Sequence, residues 1–137
     1  MKKTTKKRRL MPDMALDAFQ IWPVLAWAAN NQQTMTYKDL SKLTGIPWNT
    51  RTSGGRMSKC LEIIYRYCET KMGCYLTVLV VTQENGKPGG EYFVTKGDYD
   101  KARQQIFDLA KKNKLTNPGR EKFDQFIEEW NDKYFSQ

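Results

Sequence analysis

Thr36-Tyr-Lys-Asp-Leu-Ser-Lys-Leu-Thr-Gly-Ile-Pro-Trp-Asn-Thr-Arg-Thr-Ser-Gly-Gly-Arg-Met57 is the stretch whose reading decides the fold. It has the outline of a helix, a turn and a second helix. Thr36 is a good N-cap, and Asp39 three residues on completes a cap-like pair. Leu40 and Leu43 are expected to face inward, Gly45 to break the helix near Thr44, and Pro47 to stand where a following helix can begin. The second helix, expected over 49–71, starts with small polar and basic residues at its exposed end. A helix-turn-helix offers the start of its second helix to nucleic acid in that way.

Working outward, Met57, Leu61, Ile64 and Cys68 recur at helical spacing and are expected to face the core, with Thr52, Gly55, Lys59, Glu62 and Arg66 on the opposite face. Gly54-Gly55 costs about 1 kcal/mol per glycine inside a helix. Either a partner's backbone approaches there or the first helix packs tightly. Gly73 closes the long helix. Residues 75–82 are β-branched and loosely alternating, so a strand is expected. Asn85-Gly86 is a hairpin turn, and Glu91–Thr95 is expected to return as the second strand. Helices followed by such a hairpin make a winged helix.

Upstream, residues 14–31 carry Leu16, Phe19, Trp22, Val24, Leu25 and Trp27, too many apolar side chains for one narrow stripe. A largely covered helix is expected, kinked or divided at Pro23. Downstream, residues 98–114 and 118–135 read as two further helices separated by Asn117-Pro118-Gly119. The second carries Phe123, Phe126, Ile127, Trp130 and Tyr134 on one side. The fold class is therefore α+β: a winged helix-turn-helix core over 14–96 with two additional C-terminal helices. A basic arm, expected to be disordered over 1–10, precedes a single domain over 11–137.

At 137 residues the chain suits one domain. Its net charge of +8 is unevenly spread. Lys2, Lys3, Lys6, Lys7, Arg8 and Arg9 supply six of the charges, residues 10–74 are +2, and residues 75–137 are neutral overall. A short basic arm beside a helix-turn-helix suits phosphate contacts; the competing reading is a solubilising tail. Cys60, Cys68 and Cys74 form no tight pair, and there is no histidine, so reduced thiols are expected, with no metal and no cofactor. No apolar run is long enough to cross a bilayer, and the Lys-rich start is not followed by a secretory segment, so a cytoplasmic protein without a membrane partner is expected.

The stretch 36–57 resembles the DNA-binding half of O6-alkylguanine-DNA alkyltransferases and the related alkyltransferase-like proteins. The resemblance is carried by Tyr37, Leu40, Gly45, Pro47, Arg51, Gly54, Gly55 and Met57, and extends loosely to residue 93. It implies that Tyr37 helps to rotate a nucleotide out of the duplex and that Arg51 enters the base stack in its place. The family's reactive cysteine lies in a Pro-Cys-His-Arg context. Here a gapless count brings Cys68 near that position in Tyr67-Cys68-Glu69-Thr70, without the activating histidine, so the chemistry does not carry over.

The expected function is non-enzymatic binding of duplex DNA, as by a small bacterial or phage regulator. Arg51 is the first choice for a phosphate contact. Tyr37 can displace a nucleotide or simply cap its helix; Trp48 can stack on a base or plug the domain. Asn49, Thr50, Thr52 and Ser53 stand where helix N-terminal amides favour an anion. Arg56 and Lys59 can track the backbone or form a solvated face, and Lys87 sits at the tip of the wing. A second reading is a protein-interaction module, an accessory subunit or a phage-encoded inhibitor of a defence enzyme, docking or forming a homodimer through Phe126, Trp130 and Tyr134. A third is a non-catalytic damaged-base binder. The carboxylates form no catalytic pair, and the glycines lie in a hairpin rather than a phosphate loop.

Overall fold

The computed structural model describes residues 7–48, 55–83, 86 and 98–136. Five α-helices dominate them: α1 (Ala15–Asn30), α2 (Tyr37–Thr44), α3 (Arg56–Tyr67), α4 (Tyr99–Lys111) and α5 (Arg120–Phe135). A small parallel sheet pairs β1 (Met35–Thr36) with β2 (Val80–Val81), Met35 opposite Val80 and Thr36 opposite Val81. The class is α+β with helices in the majority.

Helix α1 lies at the centre, against α2, α3, α4 and α5. Its Ile21, Trp22, Leu25 and Ala28 are fully buried. Trp22 meets Tyr67 edge-on, with ring centroids 6.1 Å apart, and Phe123 at a tilt, with centroids 6.0 Å apart. The Trp22 indole donates to the Leu115 carbonyl at 3.0 Å, which joins the α4–α5 turn to α1. Contrary to expectation, Pro23 neither divides nor ends the helix. A proline lacks the N–H that would bond the carbonyl four residues back. That carbonyl, on Phe19, instead accepts from Asn117 Nδ2 at 3.1 Å. The turn thus fills the bond that the proline leaves open. The helix is also less covered than expected: Leu16, Phe19 and Trp27 are exposed.

Helix α2 follows its sequence signals. Thr36 Oγ1 accepts from the Asp39 amide at 3.1 Å, and Gly45 ends the helix in the left-handed region with φ 77°. Leu40 is buried as expected, but Leu43 is 63% exposed, on the other side of this short helix. Helix α3 starts later than expected. Gly55 is its extended N-cap, and Arg56 its first residue; 49–54 lie outside the described residues. Met57, Leu61, Ile64 and Cys68 are buried as their spacing requires. The helix widens into a π-helical turn, Cys68–Met72, and stops at Gly73 with φ 67°.

The opposite face of α3 is not a solvated one. Glu62 and Arg66 are buried, because α5 packs there. Arg66 Nη1 meets Glu69 Oε1 at 3.0 Å, its Nε lies 3.8 Å from Glu62 Oε2, and its guanidinium covers the rings of Tyr65 and Trp130 at 5.0 and 5.2 Å. The expected strand over 75–82 is also corrected. Leu76–Leu79 form a 3₁₀ turn, and only Val80–Val81 are extended, paired in parallel with β1. All six residues of Leu76–Val81 are buried, so the apolar run is a core segment with no solvent-facing side for a hairpin strand to alternate towards. The expected return strand at 91–95 lies outside the described residues.

The start of the chain differs from expectation as well. Residues 7–10 are docked on α5 rather than disordered. Leu10 is buried, Trp130 Nε1 donates to the Arg8 carbonyl at 2.8 Å, and Arg8 Nη1 lies 3.7 Å from Glu62 Oε1.

Candidate nucleic-acid interface

The loop after α2 is held by its own polar side chains. Ser41 Oγ donates to the Ile46 carbonyl at 2.7 Å, the Ile46 amide donates to Thr44 Oγ1 at 3.2 Å, and Ile46 is buried. These bonds bring the chain back over the start of α2. There the Trp48 ring lies parallel to that of Tyr37, with centroids 6.0 Å apart and an interplanar angle of 8°. Trp48 remains 37% exposed, and Tyr37 is half-buried. One face of the Tyr37 ring is therefore occupied by Trp48, which Tyr37 supports from below.

Arg56 and Lys59 occupy the first turn of α3. Arg56 is exposed, but its Nε donates to Asp17 Oδ2 at 2.7 Å. That bond and the adjacent negative charge hold the Arg56 guanidinium above its usual range. Asp17 is itself buried on α1 and accepts a second, longer contact from the Cys60 thiol at 3.6 Å. Burial, with the Asp17 carboxylate beside it, pushes the Cys60 thiol far up, so it stays protonated. Lys59 is half-buried.

The basic arm is partly committed within the chain. Lys7 Nζ stands over the Tyr134 ring at 5.0 Å, and the Arg9 guanidinium stands over Phe135 at 5.9 Å. Arg8 faces Glu62. Lys2, Lys3 and Lys6, the run Asn49, Thr50, Arg51, Thr52 and Ser53, and Lys87 lie outside the described residues. Of the aromatic residues expected to meet a partner, Phe126 and Trp130 are 4% exposed. Phe126 packs on Tyr67 at 5.4 Å, and Trp130 covers Arg66, so both complete the core of this chain. Tyr134 alone of the three is exposed.

Cys68, near the reactive position implied by the resemblance, is fully buried. Its hydrogen bond to Cys74, together with burial, raises its thiol well above the usual range. Nothing about it favours a thiolate nucleophile.

Two features escape a reading of the sequence. One is Asp17, whose partner Arg56 lies 39 residues on. The other is the α4–α5 turn, where Lys111, Lys112, Lys114, Arg120 and Lys122 stand against one acidic residue, Glu121, within residues 111–122. Its net charge of +4 was hidden by averaging over residues 75–137, although a local count over 111–122 reveals it.

Comparison with protein-family models, with curated proteins and with solved structures finds no match to this chain. No helix among the described residues is long and apolar enough to cross a membrane.

Proposed function

We propose that this protein is a non-enzymatic, DNA-binding protein that works in the cytoplasm. It meets duplex DNA through the segment from Tyr37 to Lys59. The observation that carries the reading is the Tyr37–Trp48 stack: an exposed indole ring held parallel to Tyr37 and directly preceding Asn49-Thr-Arg-Thr-Ser53 in sequence. Aromatic faces joined to cationic and hydroxyl side chains are the usual means of holding sugars and phosphates. On this reading Arg51 makes the principal phosphate contact. Lys87 adds a further phosphate contact, and α2 and α3 are the helix-turn-helix pair of a winged helix related to the alkyltransferase DNA-binding half. Docking of Arg8 and Leu10 on α5 gives Lys2, Lys3 and Lys6 a fixed point of departure, which favours an arm over an untethered tail.

The test is fluorescence anisotropy of a labelled 20-base-pair duplex over a salt series. Binding should weaken steeply with salt, with a log–log slope of about −0.9 per phosphate contacted. Arg51→Ala should reduce that slope by about 0.9. Trp48→Ala should weaken binding at every salt concentration. Absence of binding at low salt, or indifference to both substitutions, would overturn the proposal.

A further inference from the structure

Four exposed side chains of α1, Leu16, Phe19, Pro23 and Trp27, recur at intervals of three and four residues. At 100° per residue they fall within an arc of about 80°, and at 1.5 Å per residue the seam is about 16 Å long. The opposite side of α1, with Ala18, Ile21, Trp22, Leu25, Ala28 and Ala29, is buried in the core, so these four apolar side chains, with Gln20 beside them, form the exposed side of a central element. Leu16 and Phe19 are each 38% exposed and Trp27 is 54% exposed.

The basic α4–α5 turn stands directly beside the middle of this seam. Asn117 Nδ2 on the Phe19 carbonyl and the Trp22 indole on the Leu115 carbonyl fix it there, at 3.1 and 3.0 Å. Lys111, Lys112, Lys114, Arg120 and Lys122 are exposed, and none of them forms an ion pair among the described residues. Lys111 and Lys112 suit the negative end of α4. Arg120 and Lys122 do not suit their helix: they occupy the first turn of α5, where the macrodipole disfavours cations. Helix stability does not account for them.

We propose that this face is a docking site for an acidic amphipathic helix of a partner protein. The partner's apolar residues would lie along Leu16, Phe19, Pro23 and Trp27, and its carboxylates would meet the α4–α5 turn. The inference goes beyond the DNA-binding reading and involves none of its residues. A linear seam at helical spacing matches the ridge that one helix offers another. Charge decides among the occupants. Helix α1 carries no lysine or arginine. An interfacial membrane helix carries such residues on its own polar face, and a nucleic-acid surface interleaves them with its aromatics. Leu16 and Pro23 offer a base or phosphate nothing to bond. A second copy of this chain would bring another +8 molecule against the same basic turn.

A random 16-residue peptide library displayed on phage, panned against the full chain, tests the proposal. Peptides enriched in Asp and Glu, with apolar residues three and four apart, should be selected. A labelled synthetic peptide of the selected consensus should lose about tenfold in affinity for Phe19→Ser/Trp27→Ser. It should lose a similar factor for Lys114→Glu/Arg120→Glu, a variant that leaves the apolar seam intact. Both variants alter exposed positions, and circular dichroism checks that they fold. Failure to select peptides, selection of neutral or basic peptides, or indifference of the consensus peptide to either variant overturns the inference. So does binding of phosphatidylserine vesicles, of an oligonucleotide or of a second copy that Phe19→Ser/Trp27→Ser abolishes. Duplex binding that depends on Arg51 and Trp48 is read separately, so the two proposals fail independently.

Discussion

Asn131 near the end of α5 holds both backbone polar groups of Leu10. The Leu10 amide donates to Asn131 Oδ1 at 2.8 Å, and Asn131 Nδ2 donates to the Leu10 carbonyl at 2.9 Å. One side-chain amide thereby replaces a strand partner for a segment that has none nearby in sequence. Both bonds are buried, so neither group has water as an alternative. Asn131→Ala should therefore cost about 2–4 kcal/mol, the penalty for leaving two buried backbone groups unsatisfied. Urea denaturation measures the loss, and proteolysis within residues 7–10 should accelerate in the same variant.

Arg66 is a charge enclosed on all sides by named partners: Glu62 and Glu69 supply opposite charge, and Tyr65 and Trp130 supply ring faces. Its side chain is 3% exposed and that of Glu62 is 7%. Removing Arg66 takes the buried cation from Glu62 and Glu69 and leaves Glu62 with the more exposed Arg8, 3.7 Å away. Arg66→Met should destabilise the protein by about 3–5 kcal/mol, and Glu62→Gln/Arg66→Met should recover part of that loss. Arg66→Lys should not rescue it, because an ammonium cannot spread over two rings and two carboxylates as a planar guanidinium does. Thermal denaturation of the four proteins decides the matter.

These two relationships show where the sequence is informative and where it is silent. Local signals were legible: the Thr36–Asp39 cap, the left-handed Gly45 and Gly73, and the spans of α4 and α5 all depend on residues a few positions apart. The site was legible in its residue types but not in its pairings. Tyr37 and Trp48 are both conspicuous, yet nothing in their spacing requires their rings to be parallel. Glu62 and Arg66 lie opposite an apolar stripe, which on an isolated helix means solvent; α5, more than fifty residues later in the chain, covers them. The run Leu76–Val81 has the composition of a strand, but burial on all sides removes the need for alternation and admits a 3₁₀ turn.

Arg56 is a poor phosphate ligand while Asp17 holds it, and this gives a means of adding a contact rather than removing one. Asp17→Asn removes the buried negative charge that faces the guanidinium. If the first turn of α3 faces DNA, the released cation should add about 0.9 to the magnitude of the log–log salt slope for duplex binding. The slope is the decisive readout, since a general loss of folded protein lowers affinity without steepening it. An unchanged slope with folded protein would place Arg56 away from the phosphates.

Cys60 should make stability depend on pH in the alkaline range. Burial and the neighbouring Asp17 carboxylate raise its thiol far above the usual range in the folded state. In the unfolded chain a cysteine ionises near pH 8.5, so above that pH the unfolded state loses a proton that the folded state keeps. Stability attributable to Cys60 is therefore fully present below about pH 8.5 and falls above it, by about 1.4 kcal/mol per pH unit. Tyr67 and Tyr75 are also raised, chiefly by burial, and add the same sign of dependence from about pH 10. Cys68 and Cys74 share a hydrogen bond that moves the two thiols in opposite directions. Comparison with Cys60→Ala isolates the one group. The variant should be less stable at pH 7, because it leaves a cavity, yet its stability should fall less steeply between pH 8.5 and pH 10. Parallel urea titrations at pH 7, 8.5, 9.25 and 10 give both curves, and identical slopes would show that the Cys60 thiol ionises as readily in the folded protein as in the unfolded chain.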